Sequence, residues 1–202
     1  GADRLVLRIE TGGGFVPVEY NLTTLPEFSL YGDGRVIVPG PMIEIYPGPA
    51  LPNLQTTMVS EDTVQAILAA AREAGLFDPT FDYGQPNITD VGTTTITINA
   101  QDRTYASSIY ALGMEQGTSG LTMEQQQARA AVSELRGQLS GLGISDAFGT
   151  KDLTWESYDY RALAIYSRPV DASDPSYDPE VPPNHLQWPL GDLATLGEKT
   201  PP

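Results

Sequence analysis

The chain contains no cysteine, which removes thiolate nucleophiles, CxxC redox pairs and thiolate metal sites together, because each needs sulfur. Histidine occurs once, as His185 in PPNHLQW, so metal sites built on two histidines are excluded and a single imidazole is left for acid–base work. Lysine is confined to Lys151 and Lys199, and the formal net charge of -15 opposes binding to a phosphate backbone. Nucleic acid is therefore not an expected partner. No apolar run approaches the roughly 18 residues that a membrane-spanning helix requires. The acidic residues are dispersed singly, as on a solvated surface, and a monomer is expected.

What is present suits one folded body. A chain of 202 residues can bury a core without disulfides or a structural metal. LVLRIE places Leu5, Leu7 and Ile9 on one face and Val6, Arg8 and Glu10 on the other, the alternation of a half-buried strand. Gly12, Gly13 and Gly14 follow, but the chain then reads FVPVEY, with a proline and β-branched residues where a phosphate-cradling loop would need a helix. In FSLYGDGRVIV the turn Gly32-Asp33-Gly34 joins two strands, and Asp33 is explained as a turn former. MIEIY is read as a further strand, and the Pro-Gly run over 47–52 as a break in regular structure.

Two helices follow from spacing and end signals. Ser60 caps the first, Val64, Ile67, Leu68 and Ala71 form its apolar face, and Gly75 stops it. Thr122 and Gln125 form a capping box for the second, whose period runs through Ala128, Ala131, Val132, Leu135 and Leu139. Between them, TTTITINA turns Ile96 and Ile98 inward and Thr93, Thr95 and Thr97 outward, and RTYASSIYAL returns beside it. A strand is predicted over Tyr158 to Tyr166. From Pro169 onward the texture is proline-rich and acidic. The expectation is an α+β domain over 1–168, an antiparallel sheet with two main helices on one face, and an extended segment over 169–202.

Several of these pieces carry a resemblance. LYGDGRV at Leu30 to Val36, the helix ending AREAGLFD at Asp78, DYG at Asp82 to Gly84 and TDVGTTTITI from Thr89 resemble a family of uncharacterised bacterial domains of exported proteins and lipoproteins. The resemblance spans roughly 85 residues of structural motifs, and the family has no established activity to carry over. It implies an α+β fold outside the cytoplasm. The start at Gly1-Ala2-Asp3 without methionine fits either a processed mature end, which would agree with export, or a remnant of cloning.

No nucleophilic triad is apparent. Ser119 in GTSG lies in the lead-in to a helix, and His185 lies in the irregular tail. Asp78, Asp82 and Asp90 could supply the carboxylate pair of a glycan hydrolase, although each has an ordinary turn or cap role. Neither they nor Asp171, Asp174, Asp178 and Glu180 have the spacing of a calcium loop, so no metal and no cofactor is expected. Tyr83, Tyr158, Tyr160, Tyr166, Tyr177 and Trp188 fall in segments expected to be partly exposed, where rings favour partners. The leading reading is a non-enzymatic extracytoplasmic domain of a bacterial envelope protein, binding another envelope protein or a wall component through Asp78, Asp82, Tyr83 and Asp90. Two alternatives stay open: the carboxylate-dependent hydrolase, and an inhibitor-like domain that presents loops 47–52 and 78–90 to an enzyme.

Overall fold

In the structure, a computed structural model, residues 1–45, 49, 51–114, 120–162 and 164–165 are described. The chain divides into two units, Gly1–Ala164 and Ile165–Pro202. The first unit is an α+β body of β1 (Leu5–Gly12), α1 (Val18–Thr23), β2 (Phe28–Tyr31), β3 (Arg35–Pro39), β4 (Leu54–Met58), α2 (Glu61–Glu73), β5 (Thr93–Ala100), β6 (Arg103–Tyr110), α3 (Met123–Ser140) and β7 (Glu156–Ser157). The strands form one antiparallel sheet in the order β6-β5-β1-β2-β3-β4-β7. Of the second unit only Ile165 is described, so the expectations for Tyr166, Tyr177, His185, Trp188 and the acidic tail lie outside the described residues.

Register explains which side chains are buried. Leu7 pairs with Ile98 and Leu30, and Ile9 with Ile96 and Phe28, so these residues share a face, and all are nearly inaccessible to water. That face meets Val64, Ile67 and Ala71 of α2 and Val132, Leu135 and Leu139 of α3 in a single core. Arg8, Thr95 and Thr97 stand half-buried on the opposite face, the one-wet-side pattern of an antiparallel sheet. Strand order also dictates the helix paths. α2 must carry the chain from β4 back to β5 on the far side of β1, and α3 returns it to β7 beyond β4.

End signals behave as the residues dictate. The Ser60 hydroxyl accepts from the Thr63 amide, Gly75 stops α2 at a φ of 81°, and Thr122 with Gln125 completes both halves of its box. In the β2–β3 turn the Arg35 amide donates to Asp33 Oδ1 at 3.0 Å, confirming Asp33 as a turn former.

Four expectations need correction. A register shift between Leu5 and Leu7 turns Val6 toward the core, because a bulge interrupts the alternation. A helix does follow the glycines, where a plain loop was expected: α1 begins after Pro17, whose fixed φ suits a helix start. MIEIY adds no strand among its described residues, Met42 to Ile45. The Gly40 amide donates to the Asn53 carbonyl at 2.7 Å, closing the β3–β4 hairpin with Met42 to Ile45 outside its ladder. The strand beside β3 is instead LQTTM, too polar to betray itself by periodicity. The strand predicted over Tyr158 to Tyr166 shrinks to β7. Its partner β4 runs out toward Pro52, which has no N–H to extend the ladder.

Candidate functional site

The four residues singled out from the sequence lie on the segment from α2 to β5, and most are occupied in shaping it. Asp78 Oδ1 accepts from both the Thr80 amide, at 2.9 Å, and the Thr80 hydroxyl, at 2.7 Å. Asp82 Oδ1 accepts from the Gly84 amide at 2.8 Å, and Gln125 Nε2 reaches Asp82 Oδ2 at 3.4 Å. Since Gln125 also closes the capping box, Asp82 ties the loop to the start of α3. Asp90 is exposed at a φ of 63°, and its carbonyl accepts from the Phe15 amide, so it belongs with the β1–β2 connection. Among the described residues, no group of three His, Cys, Asp or Glu could hold a metal ion.

Tyr83 departs from expectation. It is 5% exposed, its ring meets Phe81 edge-on at 4.9 Å, and its hydroxyl is buried without a hydrogen bond of good geometry. Burial pushes its phenol above the ordinary tyrosine value; the nearby Ser107 hydroxyl opposes that rise and the Asp78 charge adds to it. Tyr83 therefore anchors the loop, and a surface ligand does not meet its ring. Tyr158 and Tyr160 are partly exposed, as expected.

Asp78 makes a direct test of this geometry. The Thr80 hydroxyl and then the Thr80 amide hold its carboxyl below the usual aspartate range. A depressed folded value stabilises the fold above the unfolded aspartate pKa, and that contribution is lost as pH falls through the folded value. Carbon-detected NMR titration should show Asp78 titrating below the usual aspartate range, and Thr80→Ala should move it part-way back. Equal midpoints for Asp78 before and after the substitution would refute the assignment.

Register gathers the long connections at one end of the sheet. Gly12 opposes Thr93, Thr93 opposes Tyr110, and Pro39 opposes Leu54. Connections 13–27, 40–53, 88–92 and 111–121 therefore meet the sheet at this end. The opposite end, where Ala100 opposes Arg103 and Arg35 opposes Met58, carries the short turns around residues 33, 60 and 102.

Sequence reasoning named loop 47–52 at this end but none of the large apolar side chains exposed there. Phe15 is 89% exposed, Tyr20 60% and Ile43 70%, with Leu22, Met42 and Ile45 also exposed. The backbone beneath them is held in place. The Gly13 amide donates to Asn21 Oδ1 at 2.8 Å, and Gly14 lies against the carbonyl of Asp90. Arg136 donates through Nε and Nη2 to both oxygens of Glu27, at 2.8 Å each, and the Thr11 hydroxyl donates to the same carboxylate. No protein-family model matches the chain, and no curated protein matches it.

A cleft of about 390 Å³ lies between α2 and the opposite end of the sheet, lined by Val6, Leu68 and Asn99 among others. Its Arg72 is already stacked on Phe77, 4.0 Å from the ring centre. Arg129 is fully buried and donates to the carbonyls of Tyr83, Tyr110 and Ala111. The sequence held a faint signal for it, since Arg129 falls three residues before Val132 on the buried stripe of α3.

Proposed function

We propose that this chain is a non-enzymatic binding module of a bacterial envelope protein, working outside the cytoplasm and engaging its partner through the loop end of the sheet. The observation that carries the reading is the set of large apolar side chains exposed there on a backbone pinned by hydrogen bonds. Such side chains gain by leaving water, and several of them on loops at one end of a sheet suit an interaction surface. Function on loops held by a rigid scaffold is also the common arrangement. Of the four residues first considered, Asp90 belongs to this surface, while Asp78, Asp82 and Tyr83 shape the loop behind it. The envelope location rests on the resemblance of the cassette to exported bacterial domains. The inhibitor-like alternative uses the same surface with an enzyme as partner. The hydrolase alternative gains no support from Asp78 and Asp82, whose oxygens are engaged within their own loop and its neighbour.

A photo-reactive phenylalanine analogue in place of Phe15, in the source cells, should yield a discrete cross-linked adduct in the envelope fraction. The same analogue in place of Ile144, which is 84% exposed, should not. No adduct from position 15, or equal adducts from both positions, would overturn the reading, and recovery from the cytosol would overturn the location.

A further inference from the structure

The charges around the exposed apolar group are of one sign. Connections 13–27, 40–53, 88–92 and 111–121 contain no lysine and no arginine. Glu44 and Asp90 are exposed within them, and the Arg136 guanidinium that reaches this end is taken up by Glu27. The opposite end is mixed: Arg4 pairs with Asp102 there, and Arg35 with Asp3. An apolar surface flanked by exposed carboxylates selects among partners. An anionic membrane would meet no basic side chain to bind its headgroups, and a second copy of the chain would bring the same negative charge. A segment that offers apolar side chains to Phe15 and Ile43 and positive charge to Glu44 and Asp90 is complementary on both counts.

Building on the loop end as binding surface, we infer that its partner is a cationic polypeptide segment bearing apolar side chains. The whole chain, labelled with ¹⁵N, would be titrated with an amphipathic leucine–lysine peptide of about 18 residues, five helical turns. A leucine–glutamate peptide of the same length, phosphatidylcholine vesicles, and a dilution series of the chain alone serve as competing arms. The lysine peptide should bind, with amide shifts confined to 13–27, 41–45 and 88–92. Affinity should fall about tenfold or more in the Phe15→Ser/Ile43→Ser double variant, whose amide spectrum away from the loops reports that it is folded. Glu44→Gln should weaken binding about threefold, whereas Asp62→Asn, which removes the same charge from the far end of the body, should leave it unchanged.

The inference is overturned if the glutamate peptide binds as tightly, if the shifts spread over the whole acidic surface, or if only vesicles or a second copy bind. In those cases an adduct at position 15 would still uphold the binding module while its partner's chemistry changes. A missing adduct would remove both.

Discussion

Replacing Arg129 with methionine should lower stability by about 3 kcal/mol or more, although methionine matches much of its volume. A buried charge is not by itself stabilising, and exchanging a whole ion pair for apolar side chains is often neutral. Here, however, Arg129 donates to main-chain carbonyls: those of Tyr110 at 2.7 Å, Ala111 at 2.9 Å and Tyr83 at 3.3 Å. A substitution cannot remove these acceptors along with the donor, and hydrogen bonds from a charged group are worth roughly 1.5–3 kcal/mol each. The guanidinium fork also joins two separate stretches, the loop at Tyr83 and the exit of β6, to α3. Arg129→Lys should recover only part of the loss, since one ammonium lacks the planar fork that spans these acceptors. Urea unfolding with an unchanged slope, together with faster amide exchange around residues 83 and 111, would show the effect. A loss below about 1 kcal/mol for the methionine variant would mean that the clamp is dispensable.

Gly34→Ala should be similarly damaging, and a second glycine isolates the reason. Gly34 and Gly75 have nearly the same positive φ, 86° and 81°. A Cβ on Gly75 would meet nothing within 4 Å, so alanine there bears only the conformational penalty, about 1 kcal/mol. A Cβ on Gly34 would overlap the carbonyl oxygen of Val59, which belongs to the backbone and cannot swing away. Moving Val59 also breaks its amide hydrogen bond to the Gly34 carbonyl, 2.9 Å long, and disturbs the entry to α2 immediately after it. Gly34→Ala should therefore lose about 3 kcal/mol, roughly three times the loss at Gly75. Thermal unfolding of both variants measures the difference. Equal losses would show that the contact with Val59 relaxes freely.

The legible parts of this fold are those decided within a few residues. Ser60 and the Thr63 amide, Thr122 and Gln125, and Asp33 and the Arg35 amide are each close along the chain, so residue type and spacing suffice. The same holds for the alternation of Ile96 and Ile98 with their threonines, which any one-sided sheet requires. Strand β4 was invisible because LQTTM owes its place to pairing with β3, a partner already formed, rather than to its own apolar pattern. Asp78 and Asp82 drew attention as acids, yet what they do is settled by which amide lies opposite. Tyr83 was expected at the surface because its neighbours are polar, but the loop folds back so that its ring reaches Phe81 and the buried side of Ser107.

By itself, then, the sequence determined the α+β class, both main helices with their ends, and the turn chemistry of the first hairpin, because these depend on local hydrogen bonding and on side-chain period. It also determined the sign of the chain's net charge. Only the tertiary structure decided where the exposed apolar residues stand relative to one another. Phe15 and Asp90 are remote in sequence, and they become neighbours because β5 pairs antiparallel with β1 and sets Thr93 opposite Gly12. The pairing of distant strands brings the long connections to one end, and no residue in those connections encodes that proximity.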